Sequence, residues 1–481
     1  MELAAILFIP ALASAVSLTP LGRRLAAPIT LLGAFLVLLL AIAVAGKVGR
    51  AGQVEELGGW LVCDGLGALV LLLIALVATT AALFSWGYIR VRSVHGGPRK
   101  EQNYYGLYNL FILSLVAVPI LANVALMWVA VALTTLVSAF LVGFENTPEA
   151  LEAAWKYVVL TTLGAVIALL GFLILYWGTR IAGVEAFTWV GLVGAAPHMP
   201  PALLWPAFLL ILVGFGTKVG LVPMHTWLPD VYSQAPASIC ALLSGAETMT
   251  VLYVILRLFP VVGGSPTLDA RPWFIGFGLL SVAVATLLLI YVRDFKRMFA
   301  FSTVEHMGII LVAAGLGGAE AHLGAAYQLT GHAIAKSFCF FAAGTIATTC
   351  RTQEIGSVRG LLKAAPFSAL ALTAGAFAIA GAPPFAIFIS EFLIFKAGIL
   401  SGQYLVTGLL ALFVVIAFCA VMFHVNRMAF SAPARAAAIP APPLSCNLAL
   451  VAAAIPLLAI GIYIPAAVQN LLRAAASAMG G

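Results

Sequence analysis

The sequence contains very little charge for its length. Only 9% of its 481 residues are Asp, Glu, Lys or Arg, whereas 63% are hydrophobic. A soluble domain carries roughly 25% charged residues, so this chain has too few to cover a surface that faces water. Apolar runs long enough to cross a bilayer, about 20 residues each, recur throughout. The composition therefore predicts an all-α polytopic membrane protein and excludes a soluble one.

Cysteine is also scarce and forms no recognisable motif. The six residues lie in apolar stretches without a Cys-X-X-Cys pair: Cys63, Cys240, Cys339, Cys350, Cys419 and Cys446. This spacing argues against a zinc, iron–sulfur or disulfide framework. A glycine-rich nucleotide loop beside a strand and a haem-ligand pair are missing as well. We therefore expect no cofactor and no bound metal, and no catalysis by this chain alone.

The apolar runs predict fourteen transmembrane helices. They are separated by Gly, Pro or charge clusters and lie near 3–20, 27–46, 66–89, 104–122, 124–144, 157–177, 202–222, 236–259, 272–292, 299–317, 323–348, 367–400, 404–426 and 447–472. The boundary between the fourth and fifth runs depends on little more than Asn123. An even number of spans places both termini on the same side of the membrane.

The basic residues indicate which side that is. The loops after odd-numbered predicted helices hold Arg23, Arg24, Arg90, Arg92, Arg99, Lys100, Lys156, Arg293, Lys296, Arg297, Arg351, Arg359, Lys363, Arg427 and Arg435. The loops after even-numbered helices hold mainly Lys47, Arg50, Arg180 and Arg271. Because basic loops stay in the cytoplasm, we expect both termini outside and the chain in the cytoplasmic (inner) membrane. The net charge of +7 is thus explained by contact with the lipid bilayer rather than with nucleic acid.

Proline interrupts two of the predicted helices. Pro223 ends the stretch that begins at Gly216, and Pro383 and Pro384 lie between Gly381 and Glu391. Proline frees backbone carbonyls that protein or a wet cavity must satisfy at membrane depth. The interruptions fall in predicted helices 7 and 12, five apart, which is the pattern of two inverted five-helix repeats. We therefore predict that helices 7 and 12 are discontinuous.

Ionisable residues occur inside the predicted spans. A charge at the bilayer centre costs roughly 2.5–3.5 kcal/mol, so such residues are candidates for function. The candidates for proton translocation are Lys218, Glu247, His306, His332, Lys336 and Glu391. His332 could equally bond a neighbouring carbonyl, and His306, within about two turns of a helix start, could equally lie in a more hydrated region. Together, these groups could form one polar file across the protein.

One segment resembles a known family. The stretch from Gly216 to Asp230, which includes Met224-His225-Thr226-Trp227, resembles the signature of the complex I and Mrp antiporter-like membrane subunits. With Glu305-His306-Met307-Gly308 it is most similar to the hydrogenase-4 component F branch of that family. The resemblance implies fourteen helices in two inverted repeats, and proton translocation driven by redox chemistry in partner subunits. Those partners would be the membrane and peripheral redox subunits of a hydrogenase-like or complex I-like assembly.

The resemblance also implies roles for single residues. Lys218 matches the lysine of the first broken helix, Lys336 the lysine of the second repeat, and Glu391 the terminal ionisable group. Ala132 stands where relatives carry the glutamate that pairs with the first lysine. We hypothesise that Glu247 pairs with Lys218 instead. The alternatives are a structural subunit without a working first half-channel and an Mrp-type cation/proton antiporter, since sodium is not excluded.

The same reasoning divides the chain into four segments. Residues 1–100 form the N-terminal helices 1–3, and residues 101–260 form the first antiporter-like repeat, helices 4–8. Residues 261–430 form the second repeat, helices 9–13, and residues 431–481 contain helix 14.

Overall fold

A computed structural model of the chain describes residues 1–92, 97–185, 187–265, 268–432 and 440–480. Arg435, counted above among the cytoplasmic charges, lies outside these residues. The helices in chain order are α1 Glu2–Ser17, α2 Gly22–Ala51, α3 Gly65–Arg92, α4 Gly97–Ala117, α5 Val124–Val142, α6 Pro148–Ile181, α7 Trp189–Ala195, α8 Pro201–Val219, α9 Trp227–Gln234, α10 Ala237–Leu242, α11 Thr248–Gly263, α12 Arg271–Tyr291, α13 Phe295–Leu316, α14 Ala319–Cys350, α15 Leu361–Ala364, α16 Pro366–Ile379, α17 Ala386–Leu400, α18 Tyr404–Phe430, α19 Leu444–Ile462 and α20 Ala466–Ala478.

The protein is a nearly all-helical, multi-pass membrane protein. Within the described residues, 11 helices are long and apolar enough to cross a membrane, and α1 and α16 are shorter apolar helices. The α10–α11 segment, α13 and α14 are almost completely buried, whereas α18 and α19 expose most of their apolar residues. Glu247, His306, His332 and Lys336 lie on these buried segments, and Lys218 and Glu391 are buried side chains of the partly exposed helices α8 and α17. The outer helices face lipid, as expected where charge is costly and apolar surface is not.

The expectation of a purely α-helical chain is wrong at one place. Strand β1, Gln53–Glu56, pairs antiparallel with strand β2, Leu61–Asp64. The turn between them contains Gly58 and Gly59, both at positive φ, which glycine adopts without steric cost. This hairpin is too short to register in a search for runs of about 20 apolar residues.

Two helices are interrupted where proline predicted it. α8 ends at Val219, and the chain resumes a helix only at α9; Pro223 lies between them. α16 ends at Ile379 and α17 begins at Ala386, with Pro383 and Pro384 in the gap. Proline lacks the N–H that would continue the helix, and it disfavours helical backbone at the preceding residue.

The predicted last helix, 447–472, is not one helix. α19 ends at Ile462, and α20 begins after Pro465 and packs on α3 and α14. Pro465 keeps Ile464 out of the helical region, so the break could have been read from this residue pair. Pro456 lies inside α19 without ending it. Context therefore decides which proline breaks a helix.

Close packing of α12 on α13 depends on glycine. A side chain at Gly278 would come within 2.7 Å of the Gly308 carbonyl oxygen and of Val312 Cγ2, whereas one at Gly276 would meet nothing within 4 Å. Small residues let membrane helices approach closely, and this packing stabilises them in lipid. We expect Gly278→Val to lower the free energy of unfolding by about 1–3 kcal/mol, the usual cost of overpacking. Gly276→Val is the matched control on the same helix. Equal unfolding transitions of the two variants in detergent would contradict this account of the α12–α13 contact.

Candidate functional site

A buried ion pair lies at the first helix break. Lys218 is in the last turn of α8, and its Nζ atom is 2.6 Å from Oε1 of Glu247. The side chains are 0% and 2% exposed. Glu247 ends a π-helical turn, Leu243–Glu247, that joins α10 to α11. Such turns are rare and often occur at functional sites. The pairing of Lys218 with Glu247 that the sequence suggested is present.

Helices α5 and α6 complete the environment of this pair. Lys218 Nζ donates to Thr135 Oγ1 at 2.5 Å. Glu247 Oε1 accepts bonds from Thr134 Oγ1 and Tyr157 Oη, both at 2.9 Å. Buried charges need such partners, because an unsatisfied charge in a low-dielectric interior is expensive.

The sequence reading missed these hydroxyl groups. Thr134 and Thr135 lie four and three residues before Ser138, which places the three side chains on one side of α5. This spacing in the sequence could have identified the hydroxyl groups as one polar face of the helix. Ala132 is half-buried and takes no part in the hydrogen bonds of the pair. In this chain α5 supplies hydroxyls, and the carboxylate comes from the π turn before α11.

A second polar cluster lies between α13, α14 and the second break. The rings of His306 and His332 are 5.2 Å apart between centroids, and both are buried. His306 Nε2 is 3.0 Å from the Ile379 carbonyl oxygen at the end of α16. Its Nδ1 is 3.4 Å from Nε2 of Gln328, which also contacts Ser390 of α17. The cluster therefore joins both histidines to the broken helix α16–α17.

Lys336 and two carboxylates extend this cluster. Lys336 is fully buried, and its Nζ donates to the Phe299 carbonyl oxygen at 3.1 Å. Glu305 of α13 and Glu391 of α17 are buried as well. Glu391 makes neither a hydrogen bond nor an ion pair with another described residue.

The π turn links the two clusters. The Ser244 carbonyl oxygen, three residues before Glu247, is 3.1 Å from His332 Nε2. The Ser244 hydroxyl is 2.7 Å from Thr303 Oγ1 of α13. One short segment of backbone therefore contacts the second cluster through Ser244 and the first through Glu247.

The half-helix α9, which follows the first break, is held by charged groups. Lys296, which is buried, donates from Nζ to the carbonyl oxygens of Ser233 and Ala235 at 2.8 and 2.7 Å, at the C-terminal end of α9. Asp230, in the same half-helix, pairs with both Lys156 and Arg297. A cation at a helix C-terminus is favourable because it opposes the helix dipole. These contacts keep the short helix in place beside Lys218.

The arrangement is suited to proton transfer rather than to metal binding. Among the described residues, no group of three or more His, Cys, Asp or Glu side chains is placed to hold a metal ion. Lysine, histidine and carboxylate side chains lie instead in two buried clusters that are linked at Ser244, and hydroxyl groups contact the first cluster. Such groups can take up and release protons, and a buried lysine–carboxylate pair changes charge when its surroundings change.

Comparison with known proteins shows which family has this architecture. Membrane helices that break beside buried lysine and carboxylate groups define an antiporter-like membrane subunit. Residues 122–420 match the family described as NADH:quinone oxidoreductase/Mrp antiporter, transmembrane. The chain is 35% identical over 414 residues to the hydrogenase-4 component F homologue of Methylacidiphilum infernorum, an alignment that covers 85% of this chain and 86% of that relative. The chain belongs to the NADH:quinone oxidoreductase/Mrp antiporter family.

Solved structures share the fold. A chain of the membrane-bound sulfane sulfur reductase, an archaeal respiratory membrane complex, superposes with a TM-score of 0.88 at 24% identity and covers 100% of this chain and 98% of that one. A chain of respiratory complex I from Thermus thermophilus with bound NADH gives a TM-score of 0.84 at 22% identity, with 100% of both chains covered. At these identities the likeness concerns the fold alone.

Proposed function

We propose that this chain translocates protons as a membrane subunit of a redox-driven complex. The observation that carries the proposal is the buried Lys218–Glu247 pair and its link through Ser244 to the second cluster. Ionisable residues in the hydrocarbon region are costly, and the usual reason to retain them is an ion or proton pathway. The retention of a buried ion pair also argues against a purely structural subunit, for which apolar residues would serve at lower cost.

The ionisable residues form two groups along the proposed proton path. Lys218 and Glu247 form the first proton-carrying pair, with the hydroxyls of Thr135 and Tyr157 as neighbours. His332, His306 and Lys336 form the second group, and Glu391 is its terminal member. The breaks at Pro223, Pro383 and Pro384 place helix ends next to these groups.

The pair is the element that a distant redox event would bias. While Glu247 stays close to Lys218, both charged forms are favoured, because each compensates the other. Movement of the carboxylate away from the lysine, or arrival of another positive charge nearby, favours release of a proton from the lysine. The redox chemistry belongs to partner subunits, so this chain supplies the membrane path and needs no cofactor of its own.

The proposal includes the number of membrane spans, the two repeats and the orientation of the chain. Counting α8–α9, α10–α11, α16–α17 and α19–α20 each as one span, with α7 and α15 outside the count, gives fourteen spans. Two inverted five-helix repeats then occupy residues 101–260 and 261–430, after helices 1–3 in residues 1–100 and before helix 14 in residues 431–481. Both termini lie outside the cell and the chain sits in the cytoplasmic membrane, as the distribution of Lys and Arg favours.

The partners are the membrane and peripheral redox subunits of a hydrogenase-like or complex I-like assembly. The relative that carries the name of a hydrogenase-4 component supports this assignment. The second candidate function is that of an Mrp-type cation/proton antiporter subunit, because the family description includes the Mrp antiporter. In that case sodium gradients would drive transport without a redox partner.

The test is to purify the tagged chain from its native membrane in mild detergent and to identify by mass spectrometry the proteins that copurify. Nickel–iron hydrogenase-like or complex I-like redox subunits are the expected partners. Recovery of small antiporter subunits alone, or of no partner, would overturn the coupled-complex proposal. Reconstituted vesicles that respond to sodium gradients without an electron donor would favour the antiporter.

A further inference from the structure

A charged cavity opens at one end of the helix bundle, away from the buried polar clusters. It lies where α2 begins, α3 ends and α4 begins, and its volume is about 560 Å³. Its polar walls are Arg23, Arg24, Arg90 and Glu101, and its apolar walls include Trp86 and Pro28. None of these residues belongs to the proton path proposed above, so the cavity calls for a separate explanation.

The cavity has an excess of positive charge. The side chains of Arg23, Arg24 and Arg90 form no ion pair or hydrogen bond with the residues that the structure describes. Glu101 is the one carboxylate among the lining residues, and it interacts with Arg90 only at a distance. Three other arginines are paired with carboxylates: Arg92 with Glu145, Arg257 with Asp64, and Arg297 with Asp230. Among the described residues, three arginines and one carboxylate therefore line this space, and the cavity keeps an excess of positive charge.

Local structure fixes the helix ends that carry these charges. Arg23 and Arg24 are in the first turn of α2, where the helix dipole also favours an anion. Arg90 and Trp86 are four residues apart on α3 and so lie on one face of that helix. Gln102 of α4 donates from Nε2 to the Thr19 carbonyl oxygen at 2.7 Å, which fixes the α1–α2 turn against α4. The walls of the cavity are therefore formed before any ligand arrives.

The position of the cavity matches the surface of a bilayer. It lies at helix ends, and Trp86, 39% exposed, is of the residue type that sits at the level of lipid headgroups. Below the arginines, the outer face of α2 exposes Leu25, Leu32 and Leu36 by 42%, 60% and 40%. An acyl chain can follow this apolar stripe while its headgroup stays in the cavity.

We propose that this cavity binds the phosphate headgroup of an anionic membrane phospholipid. Arginine forms paired hydrogen bonds with phosphate oxygens, and basic pockets between helices at the cytoplasmic membrane face are suited to such headgroups. Free phosphate shares the charge and the oxygen atoms but has no acyl chain to lie on α2. The apolar stripe favours the lipid over the free ion.

The test uses the purified full chain in detergent, stripped of lipid, with native mass spectrometry to follow binding of added phosphatidylglycerol. We expect phosphatidylglycerol to bind in preference to phosphatidylcholine, and inorganic phosphate to compete weakly. The triple variant R23Q/R24Q/R90Q should bind phosphatidylglycerol about 100-fold less tightly, because each arginine near the surface contributes about a fivefold gain in affinity.

The matched control removes three exposed arginines from the same end of the bundle, as R293Q/R359Q/R427Q. It makes the same change in net charge and should leave binding unchanged. Thermal unfolding of all variants checks that each is folded, and single Arg90→Gln, expected to weaken binding about fivefold, serves if the triple variant is not. Equal binding of the two phospholipids, an equal loss in the control, or full competition by inorganic phosphate would overturn the proposal. So would loss of a copurifying subunit in place of lipid, which would assign the cavity to a protein partner.

Discussion

Lys218→Met is expected to stop proton transport and to lower the free energy of unfolding by about 3–5 kcal/mol, the usual cost of removing one member of a buried ion pair. The variant leaves Glu247, which is 2% exposed, without its counter-charge. The hydroxyls of Thr134 and Tyr157 still donate to the carboxylate, but they carry no compensating charge. Thermal unfolding in detergent measures the first effect, and proton uptake by vesicles containing the whole complex measures the second.

The double variant Lys218→Met/Glu247→Gln separates stability from transport. Its glutamine keeps an oxygen for the two hydroxyl donors and removes the stranded charge, so most of the lost stability should return. Transport should remain absent, and Glu247→Gln alone should also abolish it. Coupled transport at the unmodified rate in Glu247→Gln would refute the role of this carboxylate. Stability of the double variant no better than that of Lys218→Met would refute the ion-pair account.

Lys336→Met, in contrast to Lys218→Met, is expected not to lower the stability of the protein. Lys336 is fully buried, but it forms a single hydrogen bond, to the Phe299 carbonyl oxygen, among the described residues. No carboxylate contacts it directly, so its burial is poorly compensated and methionine should be tolerated without loss of stability. Transport should nevertheless fall about 100-fold, because a gap in the path adds a barrier comparable to the roughly 2.5–3.5 kcal/mol cost of a charge in the membrane.

The control for this variant is Lys363→Met, which removes an exposed lysine in α15. It should change neither transport nor the unfolding transition. A destabilisation of Lys336→Met as large as that of Lys218→Met would mean that Lys336 is held by an ion pair, contrary to the structure. Unimpaired transport in Lys336→Met would remove this lysine from the proposed path.

Both lysine variants are expected to lose transport, but only Lys218→Met is expected to lose stability. Lys218 is paired and hydrogen-bonded, so it contributes to stability as well as to the path. Among the described residues Lys336 has no carboxylate in contact and one hydrogen bond, to the Phe299 carbonyl oxygen, so we attribute its retention to the proposed proton path. A residue kept at a cost in stability is typical of a functional site.

Much of this protein could be read from its sequence because the signals are local. The membrane class follows from composition, and each span from about 20 consecutive apolar residues. The breaks at Pro223 and Pro383–Pro384 follow from the chemistry of proline. The ionisable residues inside spans are visible because charge is so rare there. The same reasoning missed the break at Pro465 and the short hairpin of β1 and β2, whose signals are short or shared with intact helices.

The contacts that make up the site were decided by the tertiary structure. Thr134 and Tyr157 lie 113 and 90 residues from Glu247 in sequence, and His332 lies 88 residues from Ser244. Hydroxyl groups are common on membrane helices, so the helix face that meets Lys218 is known only once the helices are packed. The charged cavity between α2, α3 and α4 is a further case. In the sequence, Arg23, Arg24 and Arg90 indicate only the orientation in the membrane, and the fold brings them together around one cavity. The sequence by itself determined which ionisable residues lie inside membrane spans. The free-energy cost of a charge there makes them candidates for function, and it depends only on residue type and on the apolar surroundings. The tertiary structure alone decided which of them are partners, because packing brings together residues that are far apart in the chain.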